Sequence, residues 1–323
     1  MKQQPFEQQH APFWAALESD LQELERDRKL PAERARDFPA RYRGLCQHLA
    51  LARARHYSPQ LTARLNSLAL RGHQQLYRTR HPFWSGIAGF LVRGFPQAVR
   101  AEAGLFWLAL ALFALPLIGI GYGCYSHPEL IYSLMAPGQV DEMERMYDPA
   151  SRVLGREREA DSDVLMFGYY LMHNTGLGFQ TFAGGLLWGI GTLFYLVYNG
   201  LAIGAVAGHL TRLGFTDTFW PFVVGHGAFE LTAIVLAGQA GLKFGLALIA
   251  PGRHTRAGAL KAAAPGGIRI VTGSALFFLV AAFIEAFWSS STAVPIALKY
   301  TVAAGLWLLV ITYLSLGGRA RGA

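Results

Sequence analysis

FWPFVVGHGAFELTAIVLAGQAGLKFGLALI, residues 219–249, is apolar for longer than the roughly 20 residues a helix needs to cross a bilayer. A histidine and a glutamate interrupt it. His226 and Glu230 are four residues apart, so on a helix they lie one above the other on the same face. An ionisable side chain at membrane depth costs about 2.5–3.5 kcal/mol on insertion scales, and it is carried where it faces protein or water rather than lipid. Glu285, in LVAAFIEAFWSSS, repeats the pattern. After Asp163 the only carboxylates are Asp217, Glu230 and Glu285, and two of these three sit inside apolar segments.

Composition agrees with a membrane protein. Of 323 residues 52% are hydrophobic and only 15% are charged, a combination unlike that of a soluble domain. The fold class expected is all-α: a polytopic helical membrane protein with an N-terminal soluble helical domain. The first hundred residues are polar and arginine-rich, with no short apolar leader core. Two cysteines, Cys46 and Cys124, make neither a disulfide framework nor a metal-binding spacing.

Charge is distributed unevenly. Residues 1–100 hold 16 Lys/Arg against 8 Asp/Glu, residues 126–164 hold 4 against 9, and residues 251–269 hold 4 against none. The positive-inside rule and anionic lipid headgroups account for the basic stretches, so no nucleic-acid partner is expected.

Residues 1–100 read as a cytoplasmic helical domain followed by an interfacial segment. Phe13, Trp14, Leu17, Leu21 and Leu24 recur at helical spacing. Pro31 marks a helix boundary, and Ser58-Pro59 reads as an N-cap and first turn. The mixed aromatic and basic stretch 81–104 reads as an amphipathic segment on the membrane surface. Residues 101–318 then form the transmembrane domain, with embedded segments expected at 103–125, 165–198, 200–212, 219–249, 268–288 and 294–316. The acidic loop 126–164 lies outside the cytoplasm in this reading, with a short amphipathic helix around VDEMERMY. Asn199-Gly200, a turn-prone pair, is the expected helix break. Six embedded segments put both termini and the basic 251–269 stretch in the cytoplasm, as charge requires.

Glycines recur at helix-contact spacing: Gly185 and Gly189, Gly200, Gly204 and Gly208, and Gly241 and Gly245. Small residues at this period let helices approach closely in lipid. Helix packing within the chain is the expected use.

Three blocks carry a family likeness: NTGLGFQTFAGGLLWGIGTLFYLVYNGLAIGA at 174–205, HGAFELTAIVLAGQAGLKFG at 226–245 and AAFIEAFWS at 281–289. In this order they resemble the stage II sporulation protein M family. The resemblance implies an integral protein of the inner membrane, acting as a scaffold or subunit of an envelope complex. The sporulation member works in a peptidoglycan-remodelling complex with two partners. Many relatives occur outside sporulating bacteria, beside genes for MoxR-type ATPases, so partners implied by the resemblance are other envelope or membrane proteins.

His173, Asn174, His226, Glu230 and Glu285 form the candidate site. At the helical rise, Glu285 lies about 24 Å and Glu230 about 30 Å from the same face of the membrane. His173 and Asn174 enter from the opposite loop, so the five are expected to meet. Three roles fit them: structural hydrogen bonding between helices, a proton or ion site of a transporter-like protein that moves a proton, an ion or a lipid-linked substrate, and an intramembrane metal hydrolase. The segment is HGAFE and not HExxH, so spacing alone assigns no metal, cofactor or catalytic residue. A non-enzymatic role is the expectation.

The topology is open to test. In a chain with Cys46 and Cys124 replaced by serine, Thr255→Cys is expected to resist an impermeant thiol reagent in intact cells and to react once the cells are opened. Labelling in intact cells would reverse the assigned orientation.

Overall fold

The computed structural model describes residues 2–26, 30–76, 83–150, 163–291 and 293–319. Among them every regular element is a helix. The chain divides into two units, Met1–Phe83 and Trp84–Ala323.

The first unit is a bundle of α1 (Gln3–Glu25), α2 (Ala32–Ala54) and α3 (Pro59–Leu76). Its core is the stripe read from the sequence: Trp14, Leu17 and Leu21 of α1 meet Phe38, Leu45 and Leu49 of α2 and Leu61, Leu65 and Leu68 of α3. Burying each such leucine contributes about 1.5–3 kcal/mol. Pro31 precedes the first residue of α2. The Ser58 hydroxyl accepts from the Leu61 amide at 3.4 Å, and Pro59 opens α3. Asp20 is buried and bonded to Arg34 at 2.9 Å and to Arg41. The indole of Trp14 donates to Nδ1 of His48 at 3.1 Å. Burial, aided by nearby His10, holds the His48 imidazole below its usual pKa.

The second unit opens, from Trp84, with the rest of α4 (Phe83–Gly89), a π-helical turn at Phe90–Gly94 and α5 (Phe95–Ala101). The sequence grouped this stretch with the N-terminal domain as an interfacial segment. Its described part instead belongs to the membrane unit, while residues 81 and 82 lie outside the described residues. Phe95 is buried against Phe277 and Tyr313, and Arg100 donates to the carbonyls of Leu314 and Gly317 at 2.7 and 2.5 Å. An arginine that closes the carbonyl end of a helix is fixed by that helix, not by lipid headgroups.

The remaining helices are α6 (Ala103–Ser126), α7 (Pro137–Tyr147), α8 (Asp163–Ala183), α9 (Ile190–Arg212), α10 (Thr216–Ile249), α11 (Arg256–Ile284) and α12 (Ile296–Leu316). A π-helical turn, Glu285–Ser289, extends α11. Among the described residues, five helices are long and apolar enough to cross a membrane: α6, α9, α10, α11 with its extension, and α12. The sixth, α8, carries His173, Asn174, Gln180 and Thr181, which lower its hydropathy. The central helix is α10, with 72% of its apolar window buried, against 11% for α6 and 17% for α12. Residues 151–162 of the acidic stretch, and Arg321 of the basic tail, lie outside the described residues.

The helix break is not at Asn199-Gly200. The expected long helix 165–198 and half-helix 200–212 are replaced by α8 and α9, and α9 passes unbroken through that pair. The Asn199 side chain donates to the Tyr195 carbonyl of its own helix at 2.8 Å. Gly200 is needed there for contact: a Cβ would fall 2.3 Å from the Phe113 carbonyl oxygen of α6. Close packing overrides the turn preference of the pair. The break comes at Gly184–Gly189, where a short 3-10 turn ends and the chain reverses through Trp188 (φ 51°) and Gly189 (φ 78°). A left-handed tryptophan costs about 1–3 kcal/mol and persists only in a well-fixed turn. Here the turn is tied by Thr192 Oγ1 donating to the Thr181 carbonyl at 2.7 Å.

Gly185 and Gly189 therefore sit in a turn rather than along a helix face. They still lie against glycines: a Cβ on Gly185 would be 2.1 Å from the Gly241 oxygen, and one on Gly245 would be 2.6 Å from the Gly189 Cα. Gly204 and Gly208 meet α6 in the same way, with the Leu117 and Gly121 oxygens 2.2 and 2.0 Å from a built Cβ. The segment expected at 268–288 begins earlier, because α11 runs through Pro265, Gly266 and Gly267 from an N-cap at Thr255. That threonine accepts the Gly258 amide at 3.1 Å, and the basic stretch becomes a helix start.

Alanine favours a helix interior over glycine by about 0.5–1 kcal/mol, so two substitutions separate propensity from packing. Gly305→Ala, with nothing within 4 Å of its Cβ, is expected to leave the Tm in detergent unchanged or slightly raised. Gly208→Ala is expected to lower it, at a cost of about 1–3 kcal/mol for overpacking.

Candidate functional site

The site is built from the centre of α10 outward. His226 and Glu230 lie one turn apart on the same face, with Nε2 of the imidazole 3.6 Å from Glu230 Oε2. The other ring nitrogen, Nδ1, is 3.0 Å from the hydroxyl of Ser289. Ser289 closes the π-helical turn that Glu285 opens, so one turn of widened helix presents both side chains to α10. Such turns are rare and gather at functional positions. The ligand atoms of His226, Glu230 and Glu285 all lie within 4.8 Å of one another.

Neighbouring helices complete the arrangement. Asn174 of α8 donates to Glu285 Oε2 at 3.5 Å. Lys299 of α12 donates to the Ser289 carbonyl at 2.8 Å, filling an acceptor that the end of a helix leaves open. Lys299 is itself buried. Trp307 donates to the Val224 carbonyl at 3.2 Å, holding α12 against α10 near the site.

Asn174, His226, Glu230 and Glu285 line a cavity of about 460 Å³ between α8, α9, α10 and the end of α11. His173, Asn174, Asn199, His226, Glu230 and Glu285 all contribute to its wall, with Tyr169, Tyr170 and Tyr198 among its aromatic members. His173 stacks on Tyr169, with centroids 5.9 Å apart. The structure thus gathers the five site residues, and Asn199 joins them as wall rather than as a helix break. Gln239 does not belong to the group: its amide donates to the Val99 and Glu102 carbonyls at 2.9 and 3.1 Å. Lys243 pairs with the Glu102 carboxylate there.

One end of the cavity is covered by α7. Met146 and Tyr147 line it there, with Met135 from the preceding loop. The Tyr147 ring meets Phe219 and Phe222 edge-on. Val140 and Met143 bury the underside of α7 against Cys124, Ile131, Leu210 and Phe219. Glu144 Oε1 lies 2.7 Å from Nε2 of His209 on α9, and Thr218 donates to the Tyr147 carbonyl at 2.6 Å. The amphipathic pattern of VDEMERMY foretells the helix but not its position over the cavity. Ser289 was missed, although its place four residues after Glu285 is a helical signal. Lys299 and Tyr147 gave none, because their roles depend on contacts distant in sequence.

The comparisons with known proteins add the family. Residues 4–78 match a model described as a domain of unknown function (DUF8413). No curated protein and no solved structure matches the chain. Residues 105–290 match the model described as Stage II sporulation protein M. Because that match takes in more than half of the chain and every residue of the candidate site, the chain belongs to the stage II sporulation protein M family.

Proposed function

We propose that this membrane protein handles a proton or a cation in the cavity beside α10, as a subunit of an envelope complex of the cytoplasmic membrane. One observation carries the reading: three ionisable groups from two helices converge on a hollow space. Groups that merely fasten helices are used up in direct bonds across a dry contact. Among the described residues, the ion-pair partner of Glu230 is His226, at 3.6 Å, longer than a hydrogen bond. The carboxylate faces the cavity instead. Carboxylates near the midplane, facing a cavity between helices, are the common form of a coupling-ion site. The break at Gly184–Gly189 is not part of this reading, because it packs on Gly241 and Gly245, about three turns or more along α10 from Glu230.

A second role is favoured by the first unit, which has its own core and matches a separate family model. It is proposed as the docking surface for partner proteins, with the acidic stretch 126–164 on the opposite side of the membrane. Products of neighbouring MoxR-type ATPase genes are among the partners that the family resemblance suggests. In this role the chain is a scaffold and not an enzyme.

Two measurements test the two roles. In proteoliposomes, proton or cation flux is expected above that of empty vesicles and is expected to fall at least about tenfold, roughly 1.4 kcal/mol, in Glu230→Gln and in Glu285→Gln. Parent protein indistinguishable from empty vesicles would remove the ion-handling role. Deletion of residues 1–83 is expected to leave a folded membrane unit that no longer retains the partners co-purifying with the full chain. Retention of the same partners would move the docking surface elsewhere.

A further inference from the structure

We infer that His226, Glu230 and Glu285 together bind a divalent first-row transition-metal ion, which rests on the ion-handling reading and names the ion. The donors are of the right kind. Two ligands four residues apart on one helix face are a recurring way to grip such an ion, and here a carboxylate from a second helix supplies the third. One imidazole nitrogen and two carboxylates suit zinc, manganese or iron(II). The sequence concealed the site because the third donor lies 55 positions after Glu230, on another helix.

The imidazole is set for the task. A metal-bound histidine almost always engages its second ring nitrogen with an oxygen partner, which fixes both ring orientation and tautomer. Ser289 Oγ stands 3.0 Å from Nδ1. With Nδ1–H donating to that hydroxyl, the Nε2 lone pair points at the carboxylates. Ser289 is itself immobilised, fully buried and held through its carbonyl by Lys299 at 2.8 Å. Asn174 does for Glu285 what Ser289 does for His226, donating to Oε2 at 3.5 Å.

The spacing fits a modest closure. Donors on one ion at bonds of about 2.0–2.2 Å lie roughly 3.0–3.5 Å apart, while the three ligand atoms lie within 4.8 Å of one another. Drawing them together takes about 1 Å of carboxylate movement, within the rotamer freedom of two glutamates that border a cavity. Three protein donors leave coordination positions open, and these face the cavity of about 460 Å³.

The test uses the full chain in detergent micelles, stripped with a chelator, equilibrated with Zn²⁺ or Mn²⁺ and freed of excess. Metal content is expected near one ion per chain for the parent and below about a tenth for Glu285→Gln and His226→Ala. Ser289→Ala is expected to weaken binding about 10–100-fold without abolishing it. Glu18→Gln, whose carboxylate pairs with Arg64 at 3.3 Å in the first unit, is expected to keep the ion. The isosteric Glu285→Gln decides the matter if His226→Ala fails to fold. With Co²⁺ as probe, a visible absorption band is expected in the parent and absent from Glu285→Gln. Uptake below about a tenth of an ion per chain by the parent, or full uptake retained in both Glu285→Gln and Glu230→Gln, overturns the assignment. Proton flux without metal uptake would defeat this inference alone, and metal uptake without any flux would defeat transport alone.

Discussion

A charge inside hydrocarbon has no solvent, so every ionisable group at that depth must be matched by another part of the protein. In this chain the requirement falls on α10. It is the most enclosed of the spanning helices, and it is the one that carries both His226 and Glu230. Their partners come from the end of α11, from α8 and from α12. The bundle thus arranges itself so that the helix carrying both His226 and Glu230 is also its most surrounded one. The outer helices α6 and α12 carry few buried residues and present apolar surface, as lipid-facing helices should.

The same absence of water changes what holds the helices together. In the N-terminal bundle, removal of leucine and phenylalanine from water is the driving force. In the membrane unit that force is missing, because lipid tails are as apolar as side chains, and close backbone approach takes its place. Gly200, Gly204 and Gly208 let α9 lie on the carbonyls of α6. Gly241 and Gly245 receive the turn that joins α8 to α9. These two seams fix α9 on one side of α10 and leave room beside it. The cavity lies where the glycine contacts stop and larger residues, Tyr198, Phe222 and Leu231, hold the helices apart.

The apolar runs made the fold class legible, and the anomalous polar residues made the site legible, because both signals are local in sequence. The stripe of Trp14, Leu17 and Leu21 likewise announced the first bundle. What local signals could not rank was competition. Asn199-Gly200 read as the break and Gly185 as a helix-contact glycine, and the presence of α6 against Gly200 reverses the two. Pro265 with Gly266 and Gly267 reads as loop, yet lies inside α11, well past the first turn where proline is tolerated, so packing outweighs the lost helical bond. The extent of α11 depends on Lys243 and Phe244 of α10 packing against Gly266 and Gly267, a contact that no window of sequence contains. The cover formed by α7 was hidden for the same reason.

The cover bears on how the cavity is used. Its helix is amphipathic rather than membrane-spanning, 11 residues long and held by a few specific bonds, those of Glu144 with His209 and of Thr218 with the Tyr147 carbonyl. A short element of this kind, packed through Val140 and Met143, buries less than a spanning helix and opens at lower cost. The opposite end of the unit is closed differently, by Gln239, Lys243 and Arg100 bound to backbone carbonyls and to Glu102. Charge-assisted bonds at half-buried positions are stronger than neutral ones, and several there join four helices. The two ends of α10 are therefore unequal: one is locked and the other is capped by a small helix. The cavity lies toward the capped end, with Met146 and Tyr147 of α7 in the same wall as His226, Glu230 and Glu285.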